Sequence, residues 1–192
     1  QVRLFSLFCR HRKKLVDLAQ EAPDTVILAE DEASLYLQAT VAQVWAPRRQ
    51  PPVVRTHPQR DKTSFYGTLD LVTGSEVATE SPNMNGAATV EHLTKVLDTY
   101  PGRSILLFLD RASWHKGLLV RDFLAANPRL EVMYFPVAAP DLNPQEHVWK
   151  ATRRAISHNH AQRGIPDLAD KFAAHLKALT FHSSFLDRYG YN

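Results

Sequence analysis

Carboxylates placed where apolar stretches end are the side chains of this sequence best suited to chemistry. Ser104-Ile105-Leu106-Leu107-Phe108-Leu109-Asp110 carries five consecutive apolar residues and closes on an aspartate. A short unbroken apolar run behind a turn signal, here Pro101-Gly102, reads as a strand buried on both faces. The carboxyl end of such a strand is where open α/β sheets place ligands, although an aspartate there also serves to cap the next turn. Thr25-Val26-Ile27-Leu28-Ala29-Glu30-Asp31-Glu32 has the same form and ends in acids. Asn143-Pro144-Gln145-Glu146 reads as a helix start, with Asn143 as cap and Pro144 at the first helical position. Glu146 then stands either as the return partner of a capping box or as a free carboxylate. Acids on three separate elements suit a site for two hard divalent cations, which take oxygen ligands and leave the rest of the shell to water and phosphate.

The elements that must position these acids follow from periodicity. Thr25 to Asp31 predicts a first strand. Thr63 to Leu71 and Glu76 to Thr79, around Thr73-Gly74-Ser75, predict a hairpin. Ala87 to Tyr100 predicts a helix with Val90, Leu93, Val96 and Leu97 on one face, and Lys116 to Ala126 a second, with Leu118, Leu119, Phe123 and Leu124 toward the core. Glu131 to Phe135 is a fifth strand. Three strands followed by alternating helices and strands predict an α/β fold, a mixed five-stranded sheet with helices on both faces.

Basic residues gather beside the acids. On the third helix Glu146, Lys150, Arg153, Arg154 and Ser157 share a side, opposite Val148, Trp149, Thr152, Ala155 and Ile156. That stripe suits phosphate contact; the plainer reading is a solvated face. Residues 36–62 hold Pro47, Pro51, Pro52 and Pro58 together with Arg48, Arg49, Arg55, Arg60 and Lys62. A connection this long is uncommon in a compact domain; it suits phosphate contact or clasping a partner, with Trp45 as its apolar anchor, against the alternative of a loose insertion. Arg111, His115 and Lys116 follow Asp110 and are candidates to face the same site, His115 either meeting phosphate or water or being a hydrogen-bonded structural histidine. His158-Asn159-His160 lacks the cysteine partners of a common zinc site.

Composition narrows the class. At 192 residues, with 44% hydrophobic and 22% charged residues, the chain reads as one globular domain. A net charge of +3 is only mildly basic and does not by itself establish a nucleic-acid partner. A single cysteine, Cys9, excludes an internal disulfide and fits a reducing compartment. No apolar run approaches the roughly 18 residues of a membrane span, and the first residues lack the apolar core of a signal peptide. Residues 1–20 have the periodicity of an amphipathic helix. The chain starts at Gln1 rather than Met, as a fragment would.

At the three acid-bearing segments the sequence resembles the DDE transposases of bacterial insertion sequences, within the Tc/mariner superfamily. The resemblance is carried by Ala29-Glu30-Asp31-Glu32-Ala33-Ser34, Leu109-Asp110-Arg111-Ala112-Ser113-Trp114-His115-Lys116 and Ala139-Pro140-Asp141-Leu142-Asn143-Pro144-Gln145-Glu146-His147-Val148-Trp149, and the separation of Asp110 from Glu146 suits the family. It implies an RNase H-like fold over 25–160, with 1–24 a helical segment, 36–62 a basic clamp-like loop and 161–192 a helical extension. It implies that Asp31, Asp110 and Glu146 are catalytic and hold two Mg²⁺ or Mn²⁺ ions. Asp31 is chosen over Glu30 and Glu32 because it occupies the family position, and strand alternation sets the two glutamates on the other face. Many relatives have asparagine where Arg111 stands, and arginine cannot accept a hydrogen bond.

The activity so implied is metal-dependent DNA cleavage at element ends and strand transfer into target DNA, by a homodimer in the bacterial cytoplasm, at the nucleoid when on DNA. DNA contacts are expected from Arg48, Arg49, Arg55, Arg60, Lys62, Arg111, His115, Lys116, Lys150, Arg153 and Arg154. The helix-turn-helix reader of such proteins is expected to be missing or on another chain segment. The alternatives are another RNase H-like nuclease, or a domesticated, non-catalytic DNA- or protein-binding module.

Overall fold

The computed structural model describes residues 24–50, 53, 58–136 and 142–181. Its frame is a five-stranded sheet in the order β3-β2-β1-β4-β5. The strands are β1 (Val26–Tyr36), β2 (Lys62–Asp70), β3 (Glu76–Ser81), β4 (Ile105–Leu109) and β5 (Leu130–Tyr134). β1, β2 and β3 pair antiparallel, whereas β1, β4 and β5 are parallel, so the sheet is mixed as its element order requires.

Alternation along the central strands feeds two cores. Ile27 and Ala29 of β1, with Leu106 and Phe108 of β4, join Phe65, Trp149 and Phe172 on one face. Val26, Leu28, Leu107 and Leu109 join Leu93, Val96 and Val120 on the other. Helices α1 (Gly86–Thr99) and α2 (Leu118–Ala126) cover the second face, and α3 (Gln145–Thr152) and α4 (Ile165–Ala178) cover the first. α4 has no side-chain cap at its N-terminus but buries Leu168, Ala169, Phe172 and Leu176. Each large apolar side chain so buried is worth about 1.5–3 kcal/mol, against about 1 kcal/mol for a cap, so packing holds this helix in place.

The first strand differs from its sequence reading in one respect that matters. β1 does not end at the acids but runs to Tyr36. Its parallel pairing with β4 stops at Ala29–Phe108, while antiparallel pairing with β2 continues to Tyr36–Lys62. Glu30, Asp31 and Glu32 therefore lie mid-strand, where β1 outruns its neighbour and a notch opens beyond the carboxyl end of β4.

The second helix starts later than its periodicity suggests. Ser113–Lys116 forms a 3₁₀ turn, and Gly117 separates it from α2. Leu118 and Leu119, expected in the core, are 64% and 53% exposed, and Val120 takes the buried position instead. The apolar face of α3 also drifts. Arg153–Ser157 is a π-helical turn, whose extra residue per turn rotates the face, so Ala155 is exposed and Ser157 buried.

The start of the long basic connection is tied down. Thr40 bridges His158, and the Asn159 side chain both donates to the Ala42 carbonyl (3.0 Å) and accepts from its N–H (3.0 Å). Arg48, Arg49, Arg60 and Lys62 are exposed there, and Trp45 lies wholly in solvent. Arg55, and the expected helix over the first residues, lie outside the described residues.

Candidate active site

Three elements bring acids toward the notch: β1 carries Asp31, the end of β4 carries Asp110, and the first turn of α3 carries Glu146. Asn143 sets the start of α3. Its amide donates to the Glu30 carbonyl (3.0 Å) and its carbonyl oxygen accepts from the Gln145 N–H (3.1 Å), so one side chain caps the helix and stitches it to β1. Among the described residues Glu146 makes no return bond to the cap, which leaves its half-buried carboxylate available.

Asp31 faces α3. The Trp149 indole N–H donates to its Oδ2 at 3.2 Å, and the ring of Trp149 is itself buried against Phe172. Burial, then the negative charge of Glu146 and of Glu32, pushes the Asp31 carboxyl up to about 7, with Asp110 adding a smaller push. Asp31 thus feels both Glu146 and Asp110, a repulsion that bound cations would relieve.

Asp110 is held differently. Its Oδ1 accepts from the Ala112 N–H at 2.7 Å and lies 3.0 Å from His115 Nδ1, and the side chain keeps 48% exposure. The bond to His115 holds its carboxyl below the usual range, against an opposing push from burial.

On the opposite face of β1 from Asp31 lie Glu30 and Glu32, as alternation dictates. Glu32 Oε1 accepts from the Trp114 indole N–H (2.6 Å) and from His115 Nε2 (2.9 Å). Glu30 is 1% exposed, and neither of its carboxylate oxygens has a hydrogen-bond partner; the nearer one lies 3.8 Å from His115 Nε2. Burial above all pushes its pKa well above the carboxylate range. Burial works against a charge on His115, but its bonds to Asp110 and Glu32 and the charge of Glu30 win and push it up to about 11.

Glu30, Glu32 and His115 are the one set among the described residues whose ligand atoms all lie within 4.8 Å of one another. Asp31, Asp110 and Glu146 are gathered less tightly. The imidazole does not point at solvent: His115 is 1% exposed with both nitrogens turned to carboxylates. A direct phosphate contact by His115 is therefore not available in this arrangement. Arg153 is half-buried with its guanidinium near the Ser34 carbonyl (3.5 Å), whereas Arg111, Lys116, Lys150 and Arg154 are exposed. Sequence reasoning left Glu32, Trp114 and Trp149 without a role; only the alternation of β1 pointed to the first.

The family model described as DDE superfamily endonuclease matches residues 26–168. The chain belongs to this family. As a DDE domain it is similar to the insertion element IS630 uncharacterized 39 kDa protein of Shigella sonnei, 29% identical over 149 residues, which cover 77% of this chain and 43% of that protein. The chain thus spans less than half the length of that relative. Among solved structures, the Mos1 transposase paired-end complex with left transposon end superposes with a TM-score of 0.67 at 17% identity, over 93% of this chain and 57% of that one. The catalytic domain of Mos1 mariner transposase does so with a TM-score of 0.63 at 14% identity, over 93% of this chain and 86% of that one. Mos1 mariner paired-end complexes with Mn and with Mg share the fold. The DDE domain therefore has the RNase H-like fold of that transposase catalytic domain. Among its described residues no helix is long and apolar enough to cross a membrane.

Proposed function

We propose that this DDE domain cleaves DNA at the ends of an insertion element and joins the freed 3′-hydroxyl to target DNA, using Asp31, Asp110 and Glu146 as catalytic residues and ligands of two Mg²⁺ or Mn²⁺ ions. The observation that carries the reading is the electrostatic crowding of Asp31: its buried carboxyl is raised to about 7, with the Glu146 charge the largest contribution after burial. An all-oxygen donor set on rigid elements fits hard divalent ions, and the related Mos1 complexes with Mn and Mg support the choice. The ions would activate the attacking oxygen and stabilise the leaving one.

The chain's own part is positioning. Trp149 holds one oxygen of Asp31. The Ala112 N–H and His115 hold one oxygen of Asp110. Asn143 fixes the helix start that presents Glu146. DNA phosphates would meet the exposed Arg48, Arg49, Arg60, Lys62, Arg111, Lys116, Lys150 and Arg154, which bind backbone without reading sequence. Trp45, bare on the basic loop, would seat against a second copy in a homodimeric DNA complex, a large aromatic being the usual anchor of such contacts. The mass of the DNA-bound complex checks that stoichiometry. The setting this implies is the bacterial cytoplasm, at the nucleoid.

The test is Mn²⁺-dependent nicking of a DNA duplex carrying the element end, beside plain duplex, RNA–DNA hybrid and branched DNA. Asp31→Asn, Asp110→Asn and Glu146→Gln are each expected to slow nicking by about 10³-fold or more, because several kcal/mol of transition-state stabilisation is lost, while thermal unfolding stays near the parent's. A parental rate in any one of them removes that residue from the site. Preference for the hybrid or the branched substrate would replace the transposase reading with another nuclease of the same fold.

A further inference from the structure

We propose that His115, anchored by Glu32, is a positioning residue that fixes the Asp110 carboxylate so that one oxygen is tied to the protein and the other is left for a cation. This deepens the reading of Asp110 as a metal ligand and rests on it.

Two donors converge on the same oxygen of Asp110. The Ala112 N–H reaches Oδ1 at 2.7 Å and His115 Nδ1 lies 3.0 Å from it. Among the described residues no hydrogen bond reaches Oδ2 of Asp110; the other charges felt at this carboxylate include Lys116 and the acids of β1. A carboxylate alone on a strand end rotates about χ2 almost freely, since that torsion is broad and roughly two-fold. Pinning Oδ1 from two directions removes that freedom and leaves Oδ2 for a ligand, on a side chain that keeps its 48% exposure.

The imidazole needs an anchor of its own to do this. Its second nitrogen, Nε2, stands 2.9 Å from Glu32 Oε1, and that same oxygen is held by the Trp114 indole N–H at 2.6 Å. Trp114 and His115 belong to the one 3₁₀ turn, whose N–H of His115 bonds the Ala112 carbonyl (3.2 Å). Asp110, Ala112, Trp114, His115 and Glu32 thus close a ring from the end of β4, through the turn, to the centre of β1. The His115 and Glu32 side chains of the ring are buried, and the Asp110 side chain is the half-exposed one. Residues that orient metal ligands in this way commonly change metal affinity or activity by about 10–100-fold when removed.

Two amide substitutions separate positioning from mere packing. An asparagine at 115 carries its side-chain NH₂ where Nδ1 stands, so it can donate to Asp110 but falls short of Glu32. A glutamine reaches where Nε2 stands, so it can donate to Glu32 but not to Asp110. The measurement is Mn²⁺ binding by the purified chain, followed by the electron paramagnetic resonance of free Mn²⁺, with thermal unfolding recorded for each variant. His115→Ala and His115→Gln are expected to raise the half-saturating Mn²⁺ concentration about tenfold or more, and His115→Asn to recover most of that loss. Glu32→Gln, which keeps an acceptor but not its charge, is expected to fall between.

Equal effects of His115→Asn and His115→Gln, or affinity that follows unfolding temperature across the set, would overturn the proposal in favour of a structural histidine. Unchanged affinity in His115→Ala would overturn it as well. Asp110→Asn marks the other failure: if Mn²⁺ binds that variant as it binds the parent, Asp110 is not a ligand and the brace falls with the functional reading. Loss of binding in Asp110→Asn without any change in the His115 series leaves the functional reading standing and removes the brace alone.

Discussion

His92 shows what a single side chain does in this core. It is fully buried, with Nε2 2.7 Å from the Thr68 hydroxyl and Nδ1 2.9 Å from that of Thr79. Burial, with smaller pushes from Lys95 and His115, takes its pKa down to about 3. The folded protein therefore resists protonating a ring that the unfolded chain protonates near 6.5. His92 contributes stability in full above about 6.5, and that contribution is lost progressively as pH falls toward 3. Between pH 7 and pH 5 the loss comes to about 2 kcal/mol. Urea unfolding of the parent and of His92→Gln at both pH values checks it: the variant starts less stable but is expected to lose about 2 kcal/mol less over that interval. Parallel losses would mean that the ring titrates normally. The carboxylates around His115 were legible as a cluster of charge, since alternation alone puts Glu30 and Glu32 together. Their bonding was not legible, because it depends on a 3₁₀ turn that no periodicity announces.

At the level of elements, strand identities were plain where apolar runs or alternation were long, as in β4 and the β2–β3 hairpin. Ends were harder to place. β1 continues past its apolar run because β2 supplies a partner as far as Lys62, and partners from Gly67 back to Lys62, well separated in sequence, leave no local mark. The π-turn after α3 is likewise invisible in a helical pattern that continues through it. One close approach fixes how α3 sits on the sheet. Gly67 on β2 pairs with Asp31, and a Cβ there would come within 2.3 Å of the Gln145 amide, 2.5 Å of Glu76 Oε1 and 2.5 Å of the Trp149 ring. Gln145 and Glu76 are joined by a 2.6 Å bond, Gln145 is fully buried and the second carboxylate oxygen of Glu76 is shut off from solvent, so they have little room to yield. Gly67→Ala is expected to lower stability by about 1–3 kcal/mol, as overpacking does. It is expected to lower Mn²⁺-dependent nicking further than that loss explains, since it lifts the helix that carries Glu146 and Trp149. Denaturant titration and nicking rates at a temperature where the variant is fully folded check both parts; normal rates in the folded variant would show that α3 tolerates the displacement.

For the whole molecule, the charge that a net +3 conceals is a matter of placement. Lys150 and Arg154 are exposed on the helix and π-turn that follow Glu146, whereas Arg153 of the same predicted stripe turns inward toward Ser34. The double variant Lys150→Ala, Arg154→Ala is expected to weaken binding to any duplex and to reduce the slope of log affinity against log salt by about 2, one unit per phosphate contact. An unchanged slope would make these side chains solvated surface. The mixed sheet and its two helical layers followed from element order, whereas which cations reach outward could be told only once the phase of the helix was known.

The place of β1 at the middle of the sheet has a consequence in time. It precedes every other described element in the chain, yet its parallel neighbour begins only at Ile105, and the side chains that cover its Ile27, Ala29 and Leu35 include Trp149, Phe172 and Leu176. At roughly 5–20 residues per second a ribosome needs on the order of 10 s to pass from Tyr36 to Leu176. For that interval the central strand of the sheet waits beside the β2–β3 hairpin with the face that α3 and α4 will cover still bare. Nascent chains stalled before α4 are therefore the species that should need a chaperone, and the turn that carries Glu146 is made only when that vulnerable period is nearly over.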